Sequence, residues 1–143
     1  MIPVVAVLEQ ILDVQAIRAG VQDERSGAVV VFEGCARNHH GGRAVQELAY
    51  EAFVPMAEAG LAELRLDAVK RFGLSSCIVH HRIGTVPLGE AAVVVATSSP
   101  HRKEAFEAAL WIMDRIKERV PIWKRERYVE GGEAWVEGEQ REA

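Results

Sequence analysis

In the stretch RIKERVPIWKRE, residues 115–126, Lys117 and Lys124 stand on either side of a Val-Pro-Ile-Trp break. A lysine can serve as a proton-transfer group, as an amine nucleophile or as an anion clamp. Phe106, Leu110, Met113 and Lys117 follow an i, i+4, i+7, i+11 track, so on a helix Lys117 continues an apolar row. Partial desolvation in such a row lowers a lysine pKa and frees its amine for chemistry. The competing reading is a boundary lysine, with its stem over Trp123 or Ile116 and its ammonium in water. Lys124 has the stronger position, because Pro121 and the Trp123 ring can hold the following residues in one geometry. Arg125 and Glu126 complete that segment.

A second basic pair, His101-Arg102, follows Ser99-Pro100 at the start of a helical pattern. The free N–H groups and positive dipole end of a helix N-terminus disfavour cations, so basic side chains there point to a bound phosphate or carboxylate. The competing reading is a solvated Arg102 and a His101 that caps the helix.

Other signals carry less. His39-His40 and His80-His81 suggest a metal, but neighbours on a strand point to opposite faces and no HExxH or mixed Cys/His motif is present, so no metal is expected. Cys35 near Arg37 reads either as an activated thiol or as a small core residue. The chain has no GxxxxGK[ST], GxGxxG or GxSxG, which argues against the common nucleotide-binding and hydrolase classes.

The elements that must carry these residues follow from composition and periodicity. With 143 residues, 49% hydrophobic and 27% charged, the sequence suits one domain over 1–143. Its longest apolar runs are strand-length, which excludes a membrane helix. MIPVVAVLEQ lacks the basic leader of a signal peptide. Two cysteines without a CxxC fit a reducing compartment, and a cytoplasmic location is expected. A net charge of -4 argues against general nucleic-acid binding, although basic residues gather between Arg115 and Arg127.

Strand patterns cover Val4 to Leu8, Ala28 to Phe32, Val45 to Phe53, Ser76 to Ile83 and Ala91 to Ser98, with a short strand around Trp135-Val136. Asn38 to Arg43 reads as a polar, glycine-bearing loop. Asp13 is placed to cap a short helix ending near Ala19. Two amphipathic helices are expected: Pro55 to Phe72, stopped by Gly73, and one capped by Ser99 with Pro100 at its first position and ended by Pro121. The apolar stripe of the latter is Ala105, Ala109, Ile112, Met113, Ile116 and Val120. The fold class is therefore α/β (α+β), with a mixed or antiparallel sheet.

Five segments in order then resemble one family. They are Phe32-Glu33-Gly34-Cys35-Ala36-Arg37-Asn38; Leu48-Ala49-Tyr50-Glu51-Ala52-Phe53 with Pro55-Met56-Ala57; His81-Arg82-Ile83-Gly84; Ser99-Pro100-His101-Arg102 with Ala105-Phe106-Glu107-Ala108; and Asp114-Arg115-Ile116-Lys117 with Pro121-Ile122-Trp123-Lys124-Arg125-Glu126. Together they resemble the large, catalytic subunit of molybdopterin synthase, the MoaE family, from about Gly27 to Trp135. The resemblance implies an α/β hammerhead fold and a sulfurtransferase that converts cyclic pyranopterin monophosphate to molybdopterin. Both dithiolene sulfurs would come from the C-terminal Gly-Gly thiocarboxylate of a small ubiquitin-like subunit, within a heterotetramer built on a central homodimer. It also implies Lys117 and Lys124 as the catalytic pair. The implied substrate-binding set is Cys35, Ala36, Arg37, His101, Arg102, Lys117, Lys124, Arg125 and Glu126, and no cofactor is implied. The reading from another class is a noncatalytic anion-binding or protein-interaction module built on the same basic corner.

Overall fold

A computed structural model describes residues 2–136. In chain order the elements are β1 (Val5–Leu8), α1 (Val14–Gly20), β2 (Ala28–Cys35), β3 (His39–His40), β4 (Arg43–Ala52), α2 (Val54–Phe72), β5 (Ser76–Arg82), β6 (Gly84–Val86), β7 (Ala91–Ser99), α3 (Arg102–Arg119), β8 (Ile122–Tyr128) and β9 (Glu133–Val136). None of these helices is long and apolar enough to cross a membrane.

The strands form two sheets. A four-stranded sheet runs in the order β1-β5-β7-β2, with β1 parallel to β5 and the other pairs antiparallel. Its central strands β5 and β7, the latter with three successive valines, are buried on both faces, as a sheet covered on both sides requires. Cys77, Val79, Val93 and Val95 join a core with α2 and α3, whereas Ile78, Val94 and Ala96 join α1 on the other face. Leu61, Leu64 and Ile112 are 1% exposed or less, and burying each such side chain contributes about 1.5–3 kcal/mol.

The helix ends follow local chemistry. Asp13 Oδ1 accepts the Ala16 N–H at 3.0 Å, which caps α1. Gly73, at φ 63°, closes α2 in the left-handed region. For α3 the expected cap is displaced. Ser99 is the last residue of β7, paired with Ala28, and its Oγ donates to the His101 carbonyl at 2.5 Å. His101 is the N-cap instead, without a side-chain cap bond, and the helix begins at Arg102. Sheet pairing claims Ser99 before the helix can, and Gly27 allows the close turn: a Cβ there would lie 2.6 Å from the Pro100 carbonyl oxygen.

The five-stranded sheet runs β3-β4-β8-β9, with β6 also paired to β4. Two of its elements differ from the sequence expectation. The polar loop is a tight hairpin, β3 to β4, turned by Gly41 and Gly42 at φ 56° and 77°, as a two-residue type I′ turn needs. The chain beyond Pro121 is not only a corner: Ile122–Tyr128 is a full strand between β4 and β9. Its sequence, IWKRERY, is too polar to read as a core strand, yet it alternates. Ala36, Val45, Leu48, Val86, Ala92 and Tyr128 join this sheet to the first.

Candidate active site

The α3 helix returns antiparallel along β7. Thr97 Oγ1, late in β7, donates to the Ala105 carbonyl at 2.8 Å, while Ile116 and Val120 share a core cluster with Val93, early in β7. The end of α3 that carries Lys117 thus lies over the start of β7, beside the end of β2 and the joint between the sheets. Arg37 is at this same end. The Ala36 N–H donates to the Glu90 carbonyl at 2.9 Å, the Ala36 carbonyl accepts from Gly89 at 2.7 Å, and the Asn38 carbonyl accepts from Val45 at 2.8 Å. Arg37 is therefore an exposed guanidinium between two fixed residues.

Ala36 itself is 2% exposed and both its main-chain groups are engaged, so it supports Arg37 and offers no polar group of its own. Cys35 lies at a register shift closing β2. It is exposed there and so is not the small core residue the sequence suggests, while desolvation and then the Glu33 charge push its thiol pKa up, which opposes a reactive thiolate.

Strand alternation divides the Lys124-Arg125-Glu126 segment. Ile122, Lys124, Glu126 and Tyr128 share one face of β8, and Trp123, Arg125 and Arg127 take the other. On the outer face Arg125 approaches Glu133 at 3.6 Å, Arg127 bonds Glu47 at 2.6 Å, and Trp123 meets Phe53 edge-on at 5.9 Å. On the inner face half-buried Lys124 stands opposite Tyr50 and Val136. Glu126 is 2% exposed, and its Oε1 is bonded by His40 Nδ1 at 2.7 Å and by the Tyr128 hydroxyl at 3.1 Å.

The surroundings of Lys124 are desolvated. Burial first, and the Glu126 charge second, push the Tyr50 pKa up to about 12. Tyr50 meets His81 edge-on at 5.1 Å between ring centroids. Burial brings the His81 pKa down to about 4, so the ring is neutral, with Nδ1–H donated to the Arg82 carbonyl at 2.8 Å. Its neighbour His80 takes the opposite face and bonds the Pro3 carbonyl, as strand alternation requires.

Two expectations change with the geometry. Most of the row leading to Lys117 is on the helix surface: Phe106 is 62% exposed, Leu110 is 64% exposed and Lys117 is exposed with them, and only Met113 packs against the core. Nor does one chain bring all the basic residues together. Arg102 and Lys117 occupy opposite ends of α3, about 22 Å apart along its axis at 1.5 Å per residue. His101 and Arg102 thus stand apart from the Arg37, Lys117 and Lys124 end. In the sequence His40 draws notice only as a possible metal signal, His81 as that and as part of a family segment, Tyr50 only as part of a family segment and Tyr128 not at all; the alternation of Lys124, Glu126 and Tyr128 is the signal that ties them to the inner face of β8.

An open groove of about 480 Å³ lies between α2 and the Pro121 corner, lined by Met56, Gly60, Glu63, Glu118, Arg119 and Val120 among others. Its two carboxylates make it a poor anion site.

Residues 7–119 match the family model described as MoaE protein. The chain is 42% identical over 120 residues to the molybdopterin synthase catalytic subunit of Pyrococcus abyssi, covering 84% of this chain and 80% of the relative. Against the protein of the same name from Emericella nidulans it is 40% identical over 122 residues, covering 85% of this chain and 63% of that longer relative. The crystal structure of molybdopterin synthase from Staphylococcus aureus superposes with a TM-score of 0.89 at 35% identity, covering 95% of this chain and 98% of that one. The family match over residues 7–119, the identity to these relatives and the shared fold agree, and the chain belongs to the MoaE family.

Proposed function

We propose that the chain is the catalytic subunit of a molybdopterin synthase. It takes a cyclic pyranopterin monophosphate as substrate and a thiocarboxylated, ubiquitin-like small subunit as sulfur donor. The observation that carries this reading is the set of cations at one end of the four-stranded sheet: Arg37, Lys117 at the end of α3, and Lys124 on the inner face of β8. Substrate and donor are both anions, and opening a cyclic phosphate builds further charge on oxygen. Fixed cations beside a desolvated sheet face stabilise such charge strongly. Lys124 is held next to Tyr50 and buried Glu126, while Lys117 is reachable from outside, where a partner's tail would enter. A Gly-Gly tail has no side chains to grip, so backbone pairing and charge attraction would hold it.

The separation along α3 bears on assembly. If His101 and Arg102 bind the same substrate as the lysines, they come from a second copy of the chain, so the working unit is a homodimer with one small subunit on each side. Mixing Lys117→Ala and Arg102→Ala chains tests this. A shared site regains activity in mixed dimers, whereas a site within one chain does not.

The main experiment incubates the protein with the pterin precursor and the thiocarboxylated small subunit and scores dithiolene product. Product should form with the thiocarboxylate and not with the free carboxylate. Absence of product with a competent donor would return the chain to the class of anion-binding modules.

A further inference from the structure

We propose that His40 is a positioning residue: through Glu126 it fastens the segment carrying Arg37 to the strand carrying Lys124. This inference rests on the functional reading above. The His40 and Glu126 side chains are 10% and 3% exposed, and Nδ1 and Oε1 are 2.7 Å apart. An ionised carboxylate only accepts, so His40 Nδ1 carries the hydrogen. The same Oε1 takes the Tyr128 hydroxyl, and the Arg43 guanidinium covers the Tyr128 ring at 3.5 Å while its Nε bonds Glu130 at 2.6 Å. Both strands of the β3–β4 hairpin are thereby pinned to β8 and to the turn beyond it.

The positions explain the consequence. His40 follows Arg37 closely in the chain, and Glu126 shares the β8 face with Lys124, two residues back. Gly41 and Gly42 turn the hairpin without side chains of their own, so its side-chain hold on β8 comes from the flanking residues. A buried carboxylate with two donors is held, and losing one donor leaves it short of partners in a low-dielectric site. Lys124 would stay in register between β4 and β9, and the Arg37 segment, left with its backbone bonds but not the His40 bond, would be held less closely at its distance from it. Because Arg37 is read as a substrate-binding cation, loosening it weakens substrate affinity, which KM reports.

The test compares His40→Leu, which removes the donor, with His40→Asn, whose side-chain amide can donate from the place of Nδ1. With saturating thiocarboxylated partner, His40→Leu should raise the pterin KM at least ~10-fold with a smaller change in kcat, and His40→Asn should restore most of it. A purely structural contact would lower Tm and leave KM unchanged. Equal KM in wild type and a folded His40→Leu overturns the proposal, as does an Asn variant no better than Leu. Should His40→Leu fail to fold, Tyr128→Phe serves: it keeps the ring and removes the other donor, and an unchanged KM there is equally fatal. Hydrogen exchange separates this from the functional reading. In His40→Leu, amides of residues 37–45 and 122–128 should exchange faster together; acceleration confined to 39–43 refutes the fastening even if the wild-type protein shows no turnover.

Discussion

The four-stranded sheet, antiparallel except for β1, and the antiparallel five-stranded sheet are held by a different balance of forces. Around the first, α1 on one face and α2 with α3 on the other bury hydrocarbon, and Val94, Val95 and Ala96 of β7 have no measurable exposure. The second has a smaller apolar cluster with Val45, Leu48, Val86 and Tyr128, and to it the inner face of β8 adds Lys124 and a buried Glu126 held by hydrogen bonds. Hydrocarbon packing is insensitive to direction, whereas hydrogen bonds hold particular atoms at particular distances. The first sheet is thus suited to stability and the second to placing charge.

The sharpest way to break that comparison is a cavity in the first sheet's core. Leu64→Ala, at a site 1% exposed, should cost about 2–5 kcal/mol of folding stability. Turnover per folded molecule should hardly change, because no polar group moves. Denaturant unfolding and an activity assay on the folded fraction check both halves; a fall in specific activity larger than the folded fraction explains would mean that the hydrocarbon core also tunes the site.

The joint between the sheets makes a pH prediction. His81 is neutral when folded, with its pKa brought from 6.5 to about 4 by burial, whereas the unfolded chain takes up the proton near the ordinary value. Its contribution is fully present above about pH 6.5 and is lost as pH falls toward about 4, on the order of 3 kcal/mol in all. His81→Leu should flatten this part of the stability curve. Wild-type and variant curves that stay parallel across the window would take His81 out of the joint.

Lys117 sharpens the comparison from the catalytic side. Lys117→Ala removes the amine, and Lys117→Arg keeps a charge that cannot release a proton near neutral pH. If Lys117 transfers a proton or forms a covalent bond, both variants lose at least ~100-fold in turnover, about 2.7 kcal/mol, with stability little altered because the residue is exposed. Arginine retaining most of the activity reduces Lys117 to a charge clamp, and near-normal rates in the alanine variant remove it from the chemistry. Single-turnover transfer with saturating partner distinguishes these cases.

Legibility in the sequence follows the same division. Helical periodicity marks α2 and α3, and apolar runs mark β2, β5 and β7, since hydrocarbon burial writes its period directly into residue type. The Gly73 stop and the Asp13 cap are equally local. What the sequence hides is decided by competition at longer range. Ser99 looks like a cap until its strand partner Ala28 is known, and β8 looks like a basic corner until β4 and β9 flank it. The ordered family segments locate the basic residues. Their distribution between two ends of α3, and between two faces of β8, requires the fold.

The smallest expected effect lies next to the most constrained residue. Arg127 follows Glu126 in β8 but occupies the outer face, where its guanidinium bonds Glu47 at 2.6 Å with the side chains 46% and 29% exposed. Water and salt screen such a pair, so Arg127→Ala should cost below about 1 kcal/mol. Even that difference should fade at high ionic strength, because at 1 M salt the screening length falls to about 3 Å. Pterin affinity should be unchanged, since the substitution leaves His40, Tyr128 and the inner face of β8 in place. Denaturant titrations of wild type and Arg127→Ala at low and high salt make the measurement. A loss well above 1 kcal/mol that persists in salt would show that the outer face of β8 also carries structure, and the contrast between the two faces of that strand would no longer hold.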